Sequence, residues 1–249
     1  MPADGETADI PTVTAAQMAR IDRIMIDELG VDVPQLMEAA GLAVTDAIRR
    51  ALGGDVAGKR VLLLAGSGGN GGDALIAARH LKARGGEPRV ILSKHADDLP
   101  PVTARQYRLA DAFGVPIDVA PDRLVSLDDR YDLIVDGLLG FNGKGDPRGV
   151  VADLIRIANS NPAPVLAIDL PSGLDATSGI PGDPCILADA TITLALPKQG
   201  FTNPDARAHC GEIAVADIGV PASVIAQVGV DVSPGLFSEH SLVAWSPIS

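Results

Sequence analysis

Residues 60–75 read R-V-L-L-L-A-G-S-G-G-N-G-G-D-A-L, an apolar run of strand length followed by a glycine-rich turn and then by good helix formers over 74–84. That order builds an anion site from backbone alone. Glycines let the chain pass close to a ligand, and the free N–H groups of the new helix point at whatever lies there. Phosphate or pyrophosphate is the natural guest, so the unit predicts a nucleotide-like ligand on a strand–turn–helix scaffold.

Continuous apolar runs recur at 61–65, 90–92, 116–119, 133–135, 165–168, 190–196 and 213–215. They do not alternate polar with apolar, which suits strands buried on both faces of a parallel sheet. Helical stretches at 74–84, 102–113 and 151–159 separate them. Strand–helix alternation predicts an α/β fold: a three-layer αβα, Rossmann-like, doubly wound, mostly parallel sheet, with ligands beyond the carboxyl ends of the strands. Two helices precede it. Thr14-Ala-Ala-Gln17 has the form of a capping box, with Met18, Ile21, Met25 and Leu29 at helical spacing and Gly30 as a stop. A second helix is expected over 34–52, with Leu36, Ala40, Ala43 and Ala47 on one stripe. The expected organisation is a flexible acidic segment over 1–12, a single domain over 13–228, and a docked or loose tail over 229–249 that follows a short helix after Pro221.

Composition excludes several partners. The 249 residues are 47% hydrophobic, enough for one large core. Twenty Lys and Arg against 32 Asp and Glu leave a net charge of −12, which repels nucleic acid and anionic lipid unless basic groups cluster, and none do. Aromatic residues, at 3%, are too few for base-stacking platforms. Cys185 and Cys210 lack C-x-x-C or zinc spacing and read as buried thiols of a cytosolic protein. The first eleven residues lack the apolar core of a signal peptide, and no run of about 18 apolar residues occurs. A cytoplasmic protein is expected.

The turn Gly66-Ser-Gly68-Gly-Asn-Gly71 satisfies G-x-G-x-x-G, which invites a dehydrogenase reading. The dinucleotide fingerprint wants an acidic residue at the tip of the second strand, however, and Ser93-Lys94 stands there. Neither Tyr107 nor Tyr131 has a Lys four residues later, and no Lys-Ser or Lys-Thr follows the glycines as a P-loop requires. The distinguishing part is Asn70-Gly-Gly-Asp73, whose side-chain oxygens exceed what a phosphate cradle needs.

Two further strand ends supply oxygens. The strand at 133–135 ends in Asp136, followed by the loop Gly140-Phe-Asn-Gly-Lys-Gly-Asp146. The strand at 165–168 ends in Asp169-Leu-Pro-Ser172-Gly173. Either Asp alone reads equally as a helix cap. Together, Asn70, Asp136 and Ser172 offer only hard oxygen ligands with one carboxylate, a set better suited to a monovalent cation than a divalent one. Ser172 lacks the G-x-S-x-G elbow of a hydrolase nucleophile, because Leu170 stands where Gly is required.

On these residues the chain resembles the NAD(P)HX epimerases, also called the YjeF N-terminal domain family. The resemblance spans Met18 to about Pro221. It is carried by Leu36-Met-Glu-Ala-Ala-Gly41, the turn at 66–75, Val135-Asp136 with its glycine loop, Ile168-Asp-Leu-Pro-Ser-Gly173, Pro197-Lys-Gln-Gly200 and Asp217-Ile-Gly-Val-Pro221. The resemblance implies a homodimeric Rossmann-like domain that interconverts the epimers of hydrated NADH or NADPH. It implies potassium at the positions of Asn70, Asp136 and Ser172. Substrate would lie along Gly69, Asn70, Gly71, Gly72 and Asp73, along Gly140, Phe141, Asn142, Gly143, Lys144, Gly145 and Asp146, and against Asp169. Relatives often continue into an ATP- or ADP-dependent dehydratase domain, so a separate dehydratase is the implied functional partner. Where the family usually reads G-N-N-G-G-D-G, this chain has Gly69 for the first Asn and Ala74 for the last Gly; Ala39 replaces the Asn of L-M-E-N-A-G.

The chemistry implied is reversible loss and return of a hydroxyl at an electron-rich ring. Asp169 is the expected acid–base group, protonating the hydroxyl and stabilising the cation left behind. Lys144 and Lys198 read either as balancing the phosphates or as solvated loop lysines. His80, His95, His209 and His240 have no partner spacing, and His80 is expected on the face of its own helix. A catalytically idle nucleotide- or protein-binding module of the same fold is the alternative, and an NAD-linked reductase is disfavoured by its missing acid–base pair.

Overall fold

A computed structural model describes residues 9–120 and 130–247. Helix α1 (Ala15–Arg23) starts at a true capping box: Gln17 N–H donates to Thr14 Oγ1 at 3.1 Å while Thr14 N–H donates to Gln17 Oε1 at 2.9 Å. It runs on into a π-helical turn, Ile24–Glu28, and α2 follows (Val33–Ala51). The π turn breaks the expected 3.6-residue stripe. Met18, Ile21 and Met25 are buried, but Leu29 is 55% exposed.

Then come β1 (Arg60–Ala65), α3 (Gly69–Ala83), β2 (Glu87–Leu92), α4 (Pro101–Ala112) and β3 (Ile117–Val119). After them lie β4 (Leu133–Gly137), α5 (Gly149–Ser160), β5 (Val165–Ile168), β6 (Ala190–Leu194), α6 (Pro204–Cys210), β7 (Glu212–Ala216), α7 (Ala222–Ala226) and β8 (Leu242–Trp245). The sheet order is β3-β2-β1-β4-β5-β6-β7-β8, parallel throughout except for β7 against β8. The chain moves outward one way through β2 and β3 and the other way from β4 onward. The switch point therefore falls between β1 and β4, and a ligand crevice opens there beyond their carboxyl ends.

Period two explains the layers. Val61, Leu63 and Ala65 of β1 join one core cluster with α2 and α3, whereas Leu62 and Leu64 join another with Leu154 and Ile155 of α5. A third cluster packs α1 against the far half of the sheet through Leu170, Phe201, Val215 and Trp245.

Three expectations change. Helix α3 begins at Gly69, inside the glycine turn, because packing overrides propensity: a Cβ on Gly71 would stand 1.8 Å from Gly66 O, so only glycine lets the helix start this close to the strand end. The strand expected to reach 196 stops at Leu194, since Ala195 takes a left-handed φ of 62°. The segment expected as a docked or loose tail contributes β8, whose Trp245 indole donates to Ile10 O at 2.9 Å. The flexible acidic segment expected over 1–12 lies mainly outside the described residues; within them, Ile10 is buried. No described helix is long and apolar enough to cross a membrane.

Candidate active site

Asn70, Asp136 and Ser172 leave three different elements and meet on one piece of backbone, 138–139. Asn70 Nδ2 donates to Leu139 O at 2.9 Å and to Ile168 O at 2.7 Å, which turns its Oδ1 toward Gly140. Leu139 N–H donates to Ser172 Oγ at 2.8 Å, and that hydroxyl donates to Asp136 Oδ1 at 2.7 Å. Ser172 N–H binds Asp136 Oδ2 at 2.8 Å, and Leu138 N–H binds Oδ1 at 3.2 Å. Asp136 is fully buried, and burial pushes its carboxyl up to about 6 despite the Ser172 and Leu138 donors. No cationic side chain among the described residues pairs with it.

Asp169 stands just past β5 with φ 68°, and Leu170 N–H bonds back to Ile168 O at 2.8 Å. On neighbouring β6, Ala195 repeats the device, with Leu196 N–H on Leu194 O at 2.8 Å. Both are γ-turn geometries that a non-glycine residue adopts only under strain of about 1–3 kcal/mol. The second turn brings the chain back so that Lys198, fully buried, sets Nζ 2.5 Å from Asp169 Oδ1. Nζ also reaches Thr193 Oγ1 at 2.9 Å, Leu196 O at 2.9 Å and Leu194 O at 3.1 Å. Three protons facing four acceptors leave nothing for a phosphate, so neither expected reading of Lys198 holds: it is Asp169's counter-ion.

Asp169 opens into a cavity of about 170 Å³ whose walls include Met18, Phe141 and Leu194, and whose titratable groups are Asp22, Asp73 and Asp169. Asp22 comes from α1, on a Met18–Asp22–Ile26 stripe, just before the π turn. Burial, then the charge of Asp169, pushes its carboxyl up to about 6. Asp73, 5% exposed on α3, is pushed well up by burial and then by Asp169 and Asp22. Sequence reasoning missed Asp22 and the role of Lys198. The signal for Asp22 was a lone carboxylate four residues after Met18 on an inward stripe. For Lys198 it was Pro197-Lys-Gln-Gly200 at a strand end.

The remaining candidates divide. Gly69 and Asn70 line this cavity with Phe141, and a Cβ on Gly69 would meet open space, so the missing Asn side chain leaves room. Gly71 and Gly72 sit behind it; a Cβ on Gly72 would meet Met37 Sδ at 2.5 Å. Gly140, Gly143, Gly145 and Asp146 line a second cavity of about 240 Å³ with Gly173 and Asp175. Asn142 and Lys144 are exposed and line neither. His80 is not confined to its own helix face: its Nε2 lies 2.7 Å from Glu38 Oε1 on α2. Ala74 is fully buried against Gly137, so its extra methyl fills core rather than cavity. Cys185 and Cys210 are buried and free, and burial pushes both thiols up to about 12.

The crystal structure of yeast ynu0 superimposes with a TM-score of 0.79 at 25% identity, covering 94% of this chain and 100% of that one. The NAD(P)H-hydrate epimerase of Dehalogenimonas lykanthroporepellens is 36% identical over 223 residues, 89% of this chain and 87% of that protein. The bifunctional NAD(P)H-hydrate repair enzyme Nnr of Moorella thermoacetica is 37% identical over 219 residues, and the chain spans 41% of its length. The family model described as YjeF-related protein N-terminus matches residues 33–200, which takes in the glycine turn, both carboxylate strand ends and Lys198, and this chain belongs to that family.

Proposed function

We propose that this chain is an isomerase that epimerises hydrated NADH and NADPH, serving the repair of nicotinamide nucleotides. One observation carries the reading: a buried Lys198 holds the Asp169 carboxylate in an apolar-walled cavity that it shares with Gly69, Asn70 and Asp73 of the first turn after β1. Support comes from the free-standing epimerases that match this chain over most of both lengths.

The substrate hydroxyl sits on a ring carbon bonded to nitrogen. Proton transfer to that oxygen lets it leave as water, while the nitrogen lone pair stabilises the carbon. Asp169 supplies or takes the proton, and its charge stabilises the cationic ring in a site whose low dielectric strengthens the attraction. Lys198 orients the carboxylate, and the apolar walls limit the water that competes for the ring. The first turn of α3 and the loop at 140–146 face the nucleotide, with Asp146 and the second cavity along its path.

Asn70 Oδ1, Asp136 and Ser172 Oγ would hold potassium: all are oxygens, their side chains are tied to the same backbone at 138–139, and Asp136 is a buried carboxylate lacking a cationic partner. When bound, the ion would supply a fixed positive charge. A dehydratase activity is the functional partner, and the family resemblance extends to a homodimeric assembly in the cytoplasm.

The test mixes the protein with the slowly dehydrated epimer of NADHX and a dehydratase and follows NADH. Wild type accelerates its appearance. Asp169→Asn loses about 100-fold or more in rate while retaining nucleotide-induced thermal stabilisation. Full activity in that variant overturns the role of Asp169. No acceleration by wild type, with stabilisation kept, supports an idle binding module instead.

A further inference from the structure

Epimerisation at a hydroxyl-bearing carbon asks for proton traffic on both faces of the ring. A proton goes to the departing oxygen on one face, and another is taken from the arriving water on the other. One carboxyl serves one face well. The cavity holds three: Asp169, Asp22 and Asp73, the last contributed by α3 rather than by the strand end that carries Asp169.

Asp73 is the odd one. It is 5% exposed and lines the cavity, and the influences on its carboxyl are burial and the charges of Asp169 and Asp22, with no hydrogen-bond donor among them. A carboxyl this desolvated, with no cationic partner, costs the fold more than an apolar residue would. Asp73 stands on the wall of the cavity that also holds Asp169 and Asp22. Asp169, by contrast, has the Lys198 ammonium at 2.5 Å. Of the three, Asp22 is only partly buried, Asp73 is buried without a counter-ion and Asp169 is ion-paired, so the environments of the last two differ as those of an acid and a base do.

We propose that Asp73 is a second catalytic residue, the proton carrier for the ring face opposite Asp169; this rests on the epimerase reading. Asp73, as the carboxylic acid, gives its proton to the departing hydroxyl. The C–O bond breaks, the ring-nitrogen lone pair forms C=N, and water leaves. A second water adds through oxygen on the other face, the C=N pair returns to nitrogen, and that water's proton passes to the Asp169 carboxylate. One water leaves and one enters, and the proton has moved from Asp73 to Asp169. The enzyme then stands ready for the reverse epimerisation, and exchange with solvent resets it.

Burial, with the negative charges of Asp169 and Asp22, raises Asp73 well above the ordinary carboxylate range, while Lys198 is directed at Asp169. An essential acid in that environment gives a rate that falls as pH rises through its raised value. The experiment compares wild type with Asp73→Asn in both directions, from separated epimers, across pH. The expected result is a kcat loss of about 100-fold or more, with KM and nucleotide-induced thermal stabilisation within a few-fold, and disappearance of the alkaline limb. Activity within about tenfold of wild type, or a loss carried by KM with that limb intact, overturns the proposal while leaving the epimerase reading standing. If Asp73→Asn does not fold, Asp73→Ala with added formate decides: restored turnover supports the role and no restoration overturns it. A folded wild type that epimerises neither form sinks both readings.

Discussion

Lys198, itself wholly buried, is held by Asp169 and three neutral acceptors, so each charge is tolerated only because the other is there. Removing one partner of such a buried pair leaves an uncompensated charge. Lys198→Met is therefore expected to destabilise the fold by about 3–5 kcal/mol, read from urea unfolding. Adding Asp169→Asn is expected to recover part of that loss, with a coupling of about 1–3 kcal/mol between the two changes. Additive effects would show that the pair is not a unit. The carboxylate was legible at the residue scale, since a strand ending in Asp-Leu-Pro-Ser-Gly is a local pattern. Its counter-ion was not, because the γ-turn at Ala195 that returns Lys198 to Asp169 has no local signature in an alanine.

Between elements, the tightest requirement is where α2 crosses α3. A Cβ on Gly41 would stand 2.3 Å from Ile76 Cγ2, closer than any real contact. Gly41→Ala is expected to push the two helices apart and cost about 1–3 kcal/mol, measured as a lower urea midpoint with an unchanged slope. A neutral result would mean the crossing is looser than it stands here. This contact also seats Met37 behind Gly72, and so fixes the turn that presents Asn70 and Asp73. Helix and strand positions were readable wherever an apolar run was long enough to be buried on both faces. The start of α3 was not: glycine's poor propensity points to a loop, and only the approach of Gly71 to Gly66 makes that stretch the first turn of a helix.

For the molecule as a whole, the two ends of the described chain are tied together. Trp245 on β8 is 6% exposed, donates its indole N–H to Ile10 O at 2.9 Å and meets Phe201 with ring centroids 6.1 Å apart. Because β8 also covers the edge of β7, losing that anchor loosens the wall on which α1 and Asp22 rest. Trp245→Ala is expected to destabilise by about 3–5 kcal/mol, followed by circular dichroism because the change removes the only tryptophan. A change under about 1 kcal/mol would show that the antiparallel strand is an appendage. Nothing in Leu242–Trp245 announces this: four residues are too few to carry a period, and the pairing partner is set by the sheet.

Sequence alone determined the α/β layering, the glycine turn, the strand-end carboxylates and the oxygen-bearing loops, because each is written in contiguous residues whose periodicity and conformational preference act locally. Tertiary structure alone decided which of those groups meet: that Lys198 belongs to Asp169, that Asp22 and Asp73 share its hollow, and that the tail completes the sheet. Those outcomes depend on burial and on charges brought together from distant segments, and no local pattern encodes the electrostatics of a cavity before it has closed.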